Sequence, residues 1–132
     1  MSIAARIVAA ALALTPGAAA AATDPDLKSF IAAFSDVLRR GDAAAALPMA
    51  HFPLGNAVYQ EPEKITKADF KGHFNGINLK AFADCLKKEA PQRASADNKR
   101  LGEWSVDCDG NNFYFAKFDG QWRYSGFENV NE

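Results

Sequence analysis

Apolar residues fall along this chain in three successive patterns: a solid run, a helical spacing and a strict alternation. The run comes first. Ile7 to Leu14 follows Arg6, breaks at Thr15-Pro16-Gly17 and passes into Ala18 to Ala22. That is the order of basic n-region, short apolar h-region and small-residue cleavage site in a secretory signal peptide. Cleavage is expected near Ala20 to Ala22, so residues 1–22 read as a leader and 23–132 as one domain. The run is shorter than the ~20 residues a membrane helix needs, and the sequence therefore predicts a periplasmic or secreted protein without a membrane span.

The helical spacing follows. Asp24 reads as an N-cap and Pro25 as the first helical residue. Leu27, Phe30, Ile31, Phe34 and Leu38 then share one face of a helix of about four turns that ends at Arg39-Arg40-Gly41. The arginines complement the negative end of the helix dipole, which accounts for them without a partner. Asp42 caps a second short helical turn, which Pro48 stops. Ala50 to Tyr59 reads as irregular and partly extended, because Pro53 lacks a strand donor and Gly55 invites a bend. Thr66 is placed to cap the amide of Asp69, with Ile65 and Phe70 as a hydrophobic staple, so a further helix begins there. It runs to about Phe74, is punctuated by Asn75-Gly76 and restarts about Asn78, with Leu79, Phe82, Ala83 and Leu86 on its apolar face. Pro91 to Arg100 has no apolar period and reads as a loop.

From Leu101 the period is two. Trp104, Val106 and Cys108 alternate with Glu103, Ser105 and Asp107; Phe113 to Phe118 and Trp122 to Phe127 read as two more strands. Asp109-Gly110-Asn111 and Asp119-Gly120 supply the turns, giving an antiparallel meander. Helices first and a meander last predict an α+β domain, with N-terminal helices packed on a curved antiparallel sheet. Phe113 and Phe115 share one sheet face while Tyr114 and Phe118 fall on the other. An apolar outer face calls for a covering element or a contact surface, and a homodimer through the sheet is one expectation.

Composition narrows the choices. Without residues 1–22 the chain holds 14 basic and 16 acidic residues, a net charge of −2, which argues against nucleic acid or an anionic membrane as partner. Two cysteines, Cys85 and Cys108, in an exported protein predict one structural disulfide worth about 3 kcal/mol. Neither lies in a C-x-x-C motif or beside a histidine, which leaves a redox or nucleophilic thiol less well supported.

The opening helix with Phe30 and Phe34, the helical region from Phe70 to Leu86, and the closing pattern W-x-V-x-C-D-G-N-N-F-Y-F-x-K-F-D-G-Q-W-R-Y-S-G-F together resemble the NTF2-like, or cystatin-like, superfamily of α+β cones, including its small exported members. The resemblance spans most of the chain after the leader and rests on elements and aromatics, with no catalytic motif. It implies a sheet wrapped about the helices, with a conical pocket that binds a ligand, hosts catalysis or is simply filled. The family's fuller sheet would have to draw on Phe52 to Tyr59. Phe30, Phe34, Tyr59, Phe74, Trp104 and Trp122 are the expected lining.

Three residues are candidates for chemistry. Asp69 and His73 are four apart, so a carboxylate can orient an imidazole as in cone-fold isomerases and dehydratases. The simpler reading makes Asp69 the third residue of the cap and His73 an exposed neighbour. His51, ahead of Phe52-Pro53, enters the cone mouth beside Tyr59 or is a hydrogen-bonded structural residue. Two histidines without specified carboxylates predict no zinc site. Asp107 to Asn111 resembles a calcium loop, but its glycine is fourth and its twelfth residue is Phe118, so it reads as a turn. No metal and no cofactor are expected. G-x-S-x-G, H-E-x-x-H, Walker and Rossmann patterns are absent from the sequence. The residues thus favour an exported, non-catalytic domain binding a small apolar ligand or a protein partner. The alternatives are a small isomerase, dehydratase or hydrolase using His51, Asp69 or His73 with Tyr59, and an inhibitor or immunity-type partner of another exported protein.

Overall fold

A computed structural model describes residues 24–131; the expected leader, residues 1–22, lies outside them. These described residues form an α+β fold: four α-helices and a six-stranded, curved, open sheet in the order β2-β1-β6-β5-β4-β3.

Helix α1, Pro25–Arg40, begins as the sequence predicts. The Asp24 carboxylate accepts from the Asp26 amide at 2.8 Å, and Pro25 opens the first turn. It ends in a Schellman motif: Gly41 adopts φ 67°, its N–H donates to Leu38 O, and the Asp42 N–H donates to Val37 O. Leu27, Ile31, Phe34 and Leu38 are buried. Asp42 caps α2, Ala43–Ala46, through the Ala45 amide. The chain continues as a 3₁₀ turn through Pro48, Leu47–Met49.

Ala50–Ala57 is not irregular but a full strand, β1. It pairs antiparallel with β2, Lys64–Ile65, and parallel with β6, Gln121–Asn129. The sheet is therefore mixed rather than wholly antiparallel. Pro53 sits where the β1–β6 register shifts, between Ala50 and Gly55, so its missing N–H costs no ladder bond.

Helices α3, Phe70–Ile77, and α4, Lys80–Lys88, follow. The staple residues Ile65 and Phe70 are buried, but the Thr66 hydroxyl donates to the Asp69 carboxylate at 3.0 Å instead of accepting from its amide. Leu79, expected on the apolar face, is 52% exposed because it precedes α4 and lies outside the stripe made by Ala83 and Leu86. The Ser35 hydroxyl, buried on α1, donates to Ala83 O at 2.7 Å and ties α1 to α4. The loop after α4 contributes a two-residue edge strand, β3, Gln92–Arg93.

The meander is β4, Trp104–Cys108, β5, Asn111–Phe118, and β6. Its turns, at Asp109-Gly110 and Asp119-Gly120, have positive φ at both residues, which matches the twist of the strands they join. Cys85 on α4 is bridged to Cys108 on β4, with Cα atoms 5.8 Å apart. A bridged pair is compatible with an oxidising compartment. Among the described residues no helix is long and apolar enough to cross a membrane.

The space between helices and sheet is filled by rings. Phe34 meets Tyr124 at 4.8 Å and Phe115 at 6.0 Å between centroids; Phe113 meets Phe127 at 5.2 Å. On the opposite face the chain covers itself. Residues 99–103 lie as a strap across β1, β6 and β5, with Leu101 buried and its carbonyl accepting from Ser125 Oγ at 2.8 Å. A Cβ on Gly126 would stand 2.4 Å from that carbonyl, so the strap touches the strand backbone to backbone.

Candidate functional site

At one end of the filled interface the rings stop short and leave a groove of about 250 Å³. Helix α3 forms one wall with Gly72, His73, Gly76 and Ile77; Leu79 and Phe82 continue it. The sheet supplies Phe127, Asn111 and Asn129, and the β1–β2 connection adds Val58 and Glu61. Three large apolar side chains stand out from the described surface: Tyr59 (68% exposed), Leu79 (52%) and Val130 (56%). Leu79 lines this groove, and the other two directly follow lining residues.

His73 forms the floor. Its Nε2 lies 2.8 Å from the Tyr124 hydroxyl, and its ring packs against Phe127 and Phe70. Burial pushes its pKa down from the ordinary 6.5 to about 4, so the ring is neutral at pH 7. Burial also holds the Tyr124 phenol well above its ordinary range. The tautomer follows from the donor count. Tyr124 is fully buried and His73 is its hydrogen-bond partner, so a hydroxyl proton not given to Nε2 would be orphaned. The hydroxyl therefore donates, Nε2 accepts, and the remaining ring proton sits on Nδ1, which bonds to no other described residue. The imidazole at the floor is thus uncharged and keeps one N–H that Tyr124 does not use.

The walls owe their shape to two glycines. Gly72 and Gly76 are one turn apart on α3, and a Cβ at either would meet nothing within 4 Å. A helical glycine costs about 0.5–1 kcal/mol against alanine, and no close packing here explains it.

The residues singled out in the sequence disperse. Phe34 and Phe74 are fully buried, and Trp104 and Trp122 nearly so; all four belong to the packed core, where rings fill the space between helices and sheet. Phe30 packs on that core at its edge, stacked on Phe34, and Tyr59 is exposed. Asp69 is exposed at the N-cap of α3 with Thr66 as its side-chain partner; its carbonyl accepts from the His73 amide at 3.3 Å, but its carboxylate makes no bond to the imidazole, whose partner is Tyr124. His73 is thus a floor residue rather than an exposed neighbour of the cap. His51 lies on the other sheet face, its ring stacked on Phe118 at 3.6 Å. Asp107 to Asn111 forms the β4–β5 turn, with the Gly110 amide on the Asp107 carboxylate. Among the described residues no group of three or more His, Cys, Asp or Glu is placed to hold a metal. Tyr124 is one of the alternating aromatics of the last strand, and nothing in its spacing marks it as the partner of His73. The i, i+4 glycines flanking His73 were the available signal for this wall.

Comparison with protein-family models, with curated proteins and with solved structures finds no match to this chain.

Proposed function

We propose that this chain is an exported binding domain of NTF2-like shape that holds a small, uncharged, largely apolar molecule in the groove over His73. The observation that carries the reading is the pairing of bare glycine faces with an uncharged imidazole at the floor of the groove. Small-molecule sites combine apolar walls with placed polar groups, and this one sets Val58, Ile77, Leu79, Phe82 and Phe127 beside Glu61, His73, Asn111 and Asn129. At about 250 Å³ it falls below the ~300–1,000 Å³ typical of drug-sized ligands. The room equals about eight waters, so the occupant is a single ring or a short chain. A neutral donor favours a carbonyl or ether oxygen over a carboxylate, whose charge would find no countercharge on the floor.

Binding is favoured over catalysis because the imidazole has no free basic nitrogen to offer the groove: Nε2 is taken by Tyr124 and Nδ1 carries the proton. The test is native mass spectrometry on protein purified from its own envelope, paired with an amide-resonance titration using acetophenone. A retained mass, or saturable shifts at Leu79 and Phe82 that vanish in Gly72→Leu/Gly76→Leu, is expected. Identical masses before and after denaturing extraction, together with an unsaturable titration, would sink the proposal.

A further inference from the structure

We infer that the groove on the outer face of the sheet is a second binding site, for a small organic anion with a flat apolar body. The cavity holds about 480 Å³, within the ~300–1,000 Å³ range of small-molecule sites. One wall is aromatic. His51 on β1 and Phe118 on β5 lie face to face, 3.6 Å apart and 1° from parallel, although their strands do not pair with one another. Leu101 and Ala116 extend the apolar surface.

The strap forms the opposite edge, and it is fixed. The Glu103 N–H donates to Phe115 O at 2.9 Å, and a Cβ on Gly102 would stand 2.6 Å from Ser125 Oγ. Glycine at that point lets the strap lie against the sheet and carry Lys99 and Arg100 to the groove.

The charges decide the ligand. Lys64, Lys99 and Arg100 are exposed there, and among the described residues none has an ion-pair partner. Two carboxylates, Glu63 and Glu103, line the same groove. Lys117 lines it as well, but its ammonium is turned to Asp24 at 3.6 Å and lies over Trp122. The groove is thus locally cationic on a chain whose formal net charge is −1. Arg100 brings a guanidinium fork suited to the paired oxygens of a carboxylate or phosphate. An anion held by these groups would lay its body on the His51–Phe118 wall.

The test titrates the protein with phenyl phosphate, inorganic phosphate and phenol while following backbone amide resonances. Phenyl phosphate is expected to shift Gly102, Phe118 and Ser125 saturably and to bind at least tenfold tighter than either half-molecule. Lys99→Glu/Arg100→Glu, both at exposed positions, should weaken it at least tenfold, and Phe118→Ala should weaken it while leaving the response to inorganic phosphate unchanged. A titration without saturation at these amides overturns the inference, as does an affinity that ignores the charge reversal. Equal affinity for inorganic phosphate overturns the aromatic half of it.

Discussion

Acidification isolates His73 more cleanly than any other perturbation. The gap between its depressed value of about 4 and the ordinary 6.5 is worth about 3 kcal/mol at 1.36 kcal/mol per pH unit. Above pH 6.5 the imidazole is neutral in the folded and the unfolded chain, and its contribution is complete. Between about 6.5 and 4 the unfolded chain takes up a proton that the folded chain refuses, so stability falls as the pH falls. Below about 4 both forms are protonated and the loss levels off. Other groups also titrate there: the carboxylates of Asp24, Asp36 and Asp84 are held below their ordinary range, the first by the Asp26 amide and the others by Lys87 and Arg39. Their loss is common to parent and variant and cancels in the difference. His73→Phe keeps a ring against Phe127 but strands the Tyr124 hydroxyl, a cost of about 1–3 kcal/mol at pH 7. Denaturant midpoints, followed by the fluorescence of Trp104 and Trp122, should place the variant below the parent at pH 7. At pH 4 the variant should match or exceed it. Parallel stability curves across that interval would refute the reasoning, because they would mean that the folded chain protonates His73 as readily as the unfolded one.

Reducing Cys85–Cys108 frees a constraint across 23 positions and should cost about 3 kcal/mol in the chain-entropy estimate, read as the difference in denaturant midpoint with and without reductant. Gly126→Ala forces a methyl against Leu101 O and should cost about 2 kcal/mol or more; a Tm unchanged from the parent would show that the strap does not lie where described. Gly72→Ala/Gly76→Ala should instead raise stability, by about 0.5 kcal/mol per site because both lie near the ends of an eight-residue helix. A lower Tm would mean that the bare faces are needed for packing. Filling the groove over His73 with Gly72→Leu/Gly76→Leu should leave phenyl phosphate binding on the opposite face unchanged, and a tenfold loss there would make the two grooves one site.

Local chemistry made the elements legible where it alone decides them. Asp24-Pro25 and Gly41 delimit α1 because capping is settled within a few residues. The two Asp-Gly pairs locate the hairpins because left-handed turns demand such residues. The strand at Ala50–Ala57 was hidden because Pro53 and Gly55 break its alternation, and its pairing with β6 depends on residues about seventy positions away. The mixed character of the sheet was hidden with it. The strap was illegible for the same reason: nothing in Lys99 to Glu103 shows that Leu101 lies against Gly126 or Gly102 against Tyr114 and Ser125. Of the candidate chemistry, His73 was visible but its partner was not, since spacing pointed to Asp69 while the fold supplied Tyr124.

Strand β6 explains why one small domain carries two grooves. Tyr124 faces the helices and Ser125 the strap, and the bulge in the β5–β6 pairing, opposite Tyr114 and Phe115, brings Phe127 back toward α3. Successive residues thus build the floor of one groove and anchor the edge of the other. Precision at both sites requires that this strand not slide, and it is hydrogen-bonded on each side, to β1 in parallel and to β5 in antiparallel register. A slip of one residue would expose Tyr124 and bury Ser125 among rings, undoing the core as well as both walls. Packing that fills the interior with Phe34, Phe113 and Phe115 therefore does more than hold the fold together. It fixes the register of β6 and, on the helix side, leaves the groove over His73 where the rings run out.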